Sequence, residues 1–106
     1  MRKNGEMPLG EFRHAADEVA VLLRAMSNPA RLMILCKLKQ SERTVGQLER
    51  ELDMGQAYVS QQLAQLREKD LVKATRDGRQ MRYQLRDSRL ESILGAVMKE
   101  LHSPVH

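Results

Sequence analysis

The sequence predicts a mainly α fold with one small β-hairpin: four helices, two strands and a fifth helix. Two observations carry that expectation. Apolar residues recur at helical spacing through five stretches, and the period drops to two on either side of a hairpin dipeptide, Asp77-Gly78. Composition agrees, since aromatic residues are 3% of the 106 and Trp is absent. A core of Leu, Ile, Val, Met and Ala suits packed helices better than a β-sandwich, and a chain this short has room for one such core.

Residues 1–10, MRKNGEMPLG, hold Gly5, Pro8 and Gly10 with little apolar content and read as a mobile N-terminal arm. Ala15, Val19, Leu22, Leu23 and Met26 then mark a first helix over about 11–26. Asn28-Pro29 supplies an N-cap and a first-turn proline for a second helix reaching about Gln40, with Leu32, Leu35, Cys36 and Leu38 along it. After the polar break Ser41-Glu42-Arg43, Thr44 and Gln47 match a capping box and open a short third helix that buries Leu48 and Leu52. Asp53-Met54-Gly55 makes a tight turn, and a fourth helix runs from about Gln56 to Lys69 with Val59, Leu63 and Leu66 as its apolar stripe. Leu71–Arg76 and Gln80–Leu85 read as strands; in the second, Met81, Tyr83 and Leu85 face the core while Gln80, Arg82 and Gln84 face water. Leu90, Ile93, Leu94, Val97, Met98 and Leu101 mark the last helix, from about Asp87. The expected division is an arm at 1–10, one domain at 11–102 and a tail at 103–106.

Two helices joined by a three-residue turn and followed by a basic hairpin form a winged helix-turn-helix with a two-stranded wing. The charge distribution suits that architecture. Six basic residues (Lys73, Arg76, Arg79, Arg82, Arg86, Arg89) and two acidic ones (Asp77, Asp87) lie between positions 73 and 89, an excess that equals the whole formal charge of +4. A local basic segment on an otherwise balanced body is an electrostatic footprint for phosphate. A helix that enters the major groove must show short polar side chains outward. Gln56, Ala57, Ser60 and Gln61 meet that need, Gln by bidentate bonding to adenine and Ala by closeness to thymine methyls. Arg76, Arg79 and Arg82 are the wing cations expected on the phosphate backbone.

The runs LLRAMSNPARLMILCKL and TVGQLERELDMGQAYVSQQLAQLREKDLVKATRDGRQMRYQL resemble the ArsR/SmtB family of dimeric repressors over about residues 18–101. That resemblance implies a homodimer built from the first and last helices, two recognition helices reading a palindromic operator, and release of DNA when an inducer binds or reacts. It brings Gln62 into the DNA-binding set, at a position where the family commonly has His. Metal-sensing members carry Cys-x-Cys where this chain has Thr44-Val45-Gly46, or Asp and His ligands on the last helix where it has Arg89, so no metal is expected at either place. Within the family the chain looks most like the subgroup of persulfide sensors, HlyU-type regulators and nodulation repressors. Redox members of that subgroup pair a cysteine at the position of Cys36 with a second near the end of the last helix. Here that end reads Leu101-His102-Ser103, so the dithiol switch is missing.

Cys36 is the only cysteine, which excludes an intrachain disulfide and leaves a buried core thiol or a singly modified one as its roles. The sequence has no nucleophile–base pair, no Gly-rich phosphate loop and no ligand cluster, so neither an enzyme nor a cofactor is expected. No apolar run approaches the roughly 18 residues of a membrane helix, and no signal-peptide pattern opens the chain, so it reads as cytoplasmic. The leading expectation is a sequence-specific DNA-binding repressor. The alternatives are a thiol- or metal-responsive sensor acting through Cys36 or His102, and a winged helix that binds protein.

Overall fold

The computed structural model describes residues 7–102. Five helices, α1 (Leu9–Met26), α2 (Pro29–Gln40), α3 (Val45–Leu52), α4 (Gln56–Glu68) and α5 (Ser88–His102), accompany three strands, β1 (Arg43–Thr44), β2 (Val72–Asp77) and β3 (Gln80–Leu85). Helix α1 begins two residues inside the expected arm. Residues 1–6 and the expected tail at 103–106 lie outside the described residues.

The helix starts follow local chemistry. Asn28 accepts from the backbone N–H of Ala30 at 2.9 Å and of Arg31 at 3.1 Å, with Pro29 in the first turn. Thr44 accepts from Gln47 N–H, and the Gln47 side chain accepts from Thr44 N–H at 2.8 Å, closing the capping box. Asp87 caps α5 by accepting from Leu90 N–H at 2.9 Å. Two helix ends share a second device. Asp53 (φ 53°) after α3 and Asp70 (φ 59°) after α4 adopt the left-handed conformation that usually selects glycine. After α4 the N–H groups of Asp70 and Leu71 return to the carbonyls of Arg67 and Leu66, both at 3.0 Å, turning the chain sharply into β2.

The expected two-stranded wing is the β2–β3 hairpin, and the sheet adds a third strand to it. Its order is β1-β3-β2, all antiparallel, with Arg43 opposite Tyr83 and Thr44 opposite Arg82. The extended backbone that Thr44 needs as an N-cap (φ −88°, ψ 166°) is also strand geometry, so the polar break offers β3 a second partner. β3 is therefore central, and the expected core-and-water alternation is blurred: every residue from Met81 to Leu85 is half-buried.

Helix α2 lies at the middle of the core. Ile34, Leu35 and Leu38 pack with Leu22, Ala25 and Met26 of α1, Leu48 of α3, Val59, Leu63 and Leu66 of α4, Leu71, Val72, and Leu90 and Leu94 of α5. Only the C-terminal end of α1 joins this cluster, so Leu9 and Phe12 remain exposed; Leu23, between the buried Leu22 and Ala25, is exposed on the outer face of that end. Among the described residues no single helix is long and apolar enough to cross a membrane.

Candidate nucleic-acid interface

Helix α3, the turn at Asp53-Met54-Gly55 and helix α4 form a helix-turn-helix. Asp53 reverses the chain, Met54 N–H returns to Glu49 O at 3.2 Å, and Gly55 leads into α4. Val59, Leu63 and Leu66 fasten α4 to the core, which leaves Gln56, Ala57, Ser60 and Gln61 exposed together, as the sequence predicts, with Ala64 exposed beside them.

Gln62 does not join them. Its side chain is 7% exposed, and its Oε1 is buried without a hydrogen-bond partner among the described residues. The reason is helical geometry: Gln62 follows Val59 by three residues and precedes Leu66 by four, so it falls on the buried stripe. That spacing was available in the sequence. Tyr58 is the converse case, an aromatic side chain 40% exposed beside Ala57 and Gln61 that residue type alone assigns to a core.

The wing places its arginines unequally. Asp77 pairs with Gln80, so the loop residues are Gly78 and Arg79 rather than Asp77 and Gly78. Gly78 takes φ +64° at the first loop position, a conformation glycine adopts freely. Arg76 and Arg79 are exposed and have no ion-pair partner among the described residues. Arg82 is different: its Nε donates to Asp77 Oδ2 at 2.8 Å, and Glu42 Oε1 lies at 3.9 Å. The bond to Asp77, with that carboxylate's charge, holds the Arg82 pKa above its ordinary value. Arg82 is thus committed to an internal pair.

Two clefts join α4 to the wing. One, of about 290 Å³, has Gln56 on one side and Arg79, Gln80 and Met81 on the other. The second, of about 360 Å³, runs from Ser60 and Ala64 past Arg67. Tyr83 lines both, so the polar face of α4 and the wing tip form one continuous surface. Behind it, Arg43 binds both carboxylate oxygens of Glu51, at 2.9 and 3.2 Å, and Lys37 Nζ lies 3.5 Å from the same group. These cations, led by the Arg43 hydrogen bond, hold the Glu51 carboxyl below its ordinary pKa. Arg43 also donates to the backbone and hydroxyl oxygens of Ser41, which fixes the α2–α3 connection.

The residues expected for sensing lie elsewhere. Cys36 and His102 line one cavity of about 210 Å³ between α2 and α5. Burial pushes the Cys36 thiol pKa up, which disfavours the reactive thiolate. Among the described residues no three His, Cys, Asp or Glu side chains converge.

Residues 28–74, from the cap of α2 into β2, match the family described as bacterial regulatory protein, arsR family. The chain is 42% identical over 93 residues to the biofilm growth-associated repressor of Agrobacterium fabrum, covering 88% of this chain and 80% of that protein. It belongs to the ArsR family. The same similarity extends to three dimensions. The transcriptional repressor BigR from Xylella fastidiosa superposes with a TM-score of 0.82 at 35% identity, covering 92% of this chain and all of that one. Reduced HlyU from Vibrio cholerae gives 0.84 at 32% identity, over 90% of this chain and all of HlyU. Like the family it joins, the chain is a DNA-binding transcriptional regulator with a winged-helix fold.

Proposed function

We propose that the chain acts in the cytoplasm as a homodimeric repressor on a palindromic operator, without catalysing a reaction. One observation carries this reading: the exposed stripe Gln56, Ala57, Ser60, Gln61 runs continuously into a wing whose Arg76 and Arg79 are unpaired among the described residues. In it, α4 enters the major groove, Gln56, Ser60 and Gln61 meet base edges, and Ala57 permits close approach. Arg76 and Arg79 meet phosphate, while Arg82 holds the hairpin in shape through Asp77. Gln62 supports α4 from within.

A dimer is supported by Leu9, Phe12 and Leu23 on α1 and Leu101 on α5, large apolar side chains exposed on one chain. A two-fold axis would bury the same patch on both copies and set two recognition helices on symmetric half-sites. The relatives named repressors support repression as the sign.

The test is genome-wide binding followed by mobility shifts on the strongest site. Gln61→Ala should cost about 1–3 kcal/mol at one base pair and relax preference there. Sedimentation should give twice the 12.2 kDa chain mass. A stable monomer, or a Gln61→Ala loss spread evenly over all sequences, refutes the corresponding part.

A further inference from the structure

We propose that the cavity between α2 and α5 is a binding site for one soft monovalent metal ion, Cu(I), held by the Cys36 thiolate with Met33, Met98 and His102. All four side chains line that cavity of about 210 Å³, and no carboxylate does. Met33 and Cys36 are three residues apart on α2, and Met98 and His102 are four apart on α5. Each pair therefore projects from one face of its helix, and the two faces meet across the cavity.

The donor set selects the ion. Thiolate and thioether sulfur favour Cu(I), whereas Ca²⁺ and Mg²⁺ require oxygen ligands, and protein Zn²⁺ sites use Cys, His and carboxylate rather than thioether. Met33 adds a second clue, because it is 44% exposed and makes a thioether available at the cavity instead of burying it in the core. Charge narrows the choice further. Binding replaces the thiol proton, Cys–SH + Cu⁺ → Cys–S–Cu + H⁺; the proton goes to water and no oxidation state changes. The product is neutral, which matters because Lys37 also lines the cavity, with its ammonium 3.5 Å from Glu51. A divalent ion on the same thiolate would leave a net positive charge beside that lysine. Because the ion displaces the thiol proton, affinity should rise with pH. The site needs no second cysteine, and its residues lie outside the set proposed to contact DNA.

The experiment uses the full reduced chain under anaerobic conditions, titrated with Cu(I) against the chelator bathocuproine disulfonate. One ion per chain should bind, with thiolate-to-metal absorption in the near ultraviolet. Cys36→Ala should abolish that absorption. Met98→Leu and Met33→Leu conserve volume and keep the fold; each of them, and His102→Gln, should weaken binding by at least about tenfold. Thermal unfolding with Ag(I), a redox-inert substitute, gives a second readout. A site assembled only in the native state raises Tm, whereas a lone thiolate binds the unfolded chain equally well and does not. Ag(I) should therefore raise the Tm of the wild type more than that of Met98→Leu. Equal Cu(I) affinity in the wild type and in the Met98 and His102 variants, or no rise in Tm, would reduce the site to an adventitious thiolate and overturn the proposal.

Discussion

Replacing Arg79 should change how DNA binding responds to salt, and removing the Arg82–Asp77 pair should not. Each phosphate neutralised contributes about 0.9 to the slope of log affinity against log salt on duplex DNA. Arg79 sits at the tip of the wing and has no ion-pair partner among the described residues, so Arg79→Ala removes about one such contact per bound chain. Between about 50 and about 200 mM salt the variant should then lose about 3.5-fold less affinity than the wild type per chain, or about 12-fold less for a dimer. Arg82 already spends its charge on Asp77 at 2.8 Å. Removing both partners, Arg82→Gln with Asp77→Asn, leaves no lone carboxylate from that pair and should leave the slope unchanged. Fluorescence anisotropy on operator and on scrambled duplex, over a salt series, measures both slopes. An unchanged slope for Arg79→Ala, or an equal fall for the double variant, would refute this division of labour.

Gln62→Leu should raise stability by about 1 kcal/mol, since it removes a buried unpartnered oxygen, and should leave base preference intact; urea unfolding and operator titration check the two halves. Thr44→Ala should cost about 1 kcal/mol through the lost cap, seen as a lower urea midpoint at unchanged slope. Asp70→Gly should gain about 0.5 kcal/mol in the same assay, because the left-handed backbone suits glycine, with part of the relief offset by the greater freedom of the unfolded chain. The lowered Glu51 pKa means its pairing with Arg43 and Lys37 stabilises the fold above the ordinary carboxylate range. That contribution should be lost as pH falls through the lowered value. Glu51→Gln should accordingly show a shallower acid loss of stability.

The helices and the hairpin were legible because their signals are local. Asn28-Pro29 and the Thr44/Gln47 box mark helix starts within a few residues, and α4 declares its buried stripe by spacing. What escaped was tertiary. β1 is two residues long and exists only because β3 passes beside the α3 cap, a contact between segments about forty residues apart. The same blindness hid the partners of Arg82: a strand pattern shows that an arginine points away from the core, not that Asp77 and Glu42 wait for it. Gln62 was a different failure. Its polarity and the family comparison pointed outward, while its place between Val59 and Leu66 pointed in, and spacing prevailed. Met33, Cys36, Met98 and His102 are two separate pairs in the sequence and share a cavity only once α2 and α5 are packed.

The two-residue pairing of β1 with β3 has a consequence for the ruler this protein lays along DNA. Wings joined to their bodies by a hairpin alone can swing. Here the strand that carries the wing is stitched to the residues that cap α3, and Arg43 clamps those residues to Glu51. In the proposed binding mode, the distance between the bases that α4 would meet and the backbone that Arg79 would meet is then fixed by the fold. An operator half-site can exchange bases and pay only for those bases. One lengthened by a single base pair between the two contacts must release one of them.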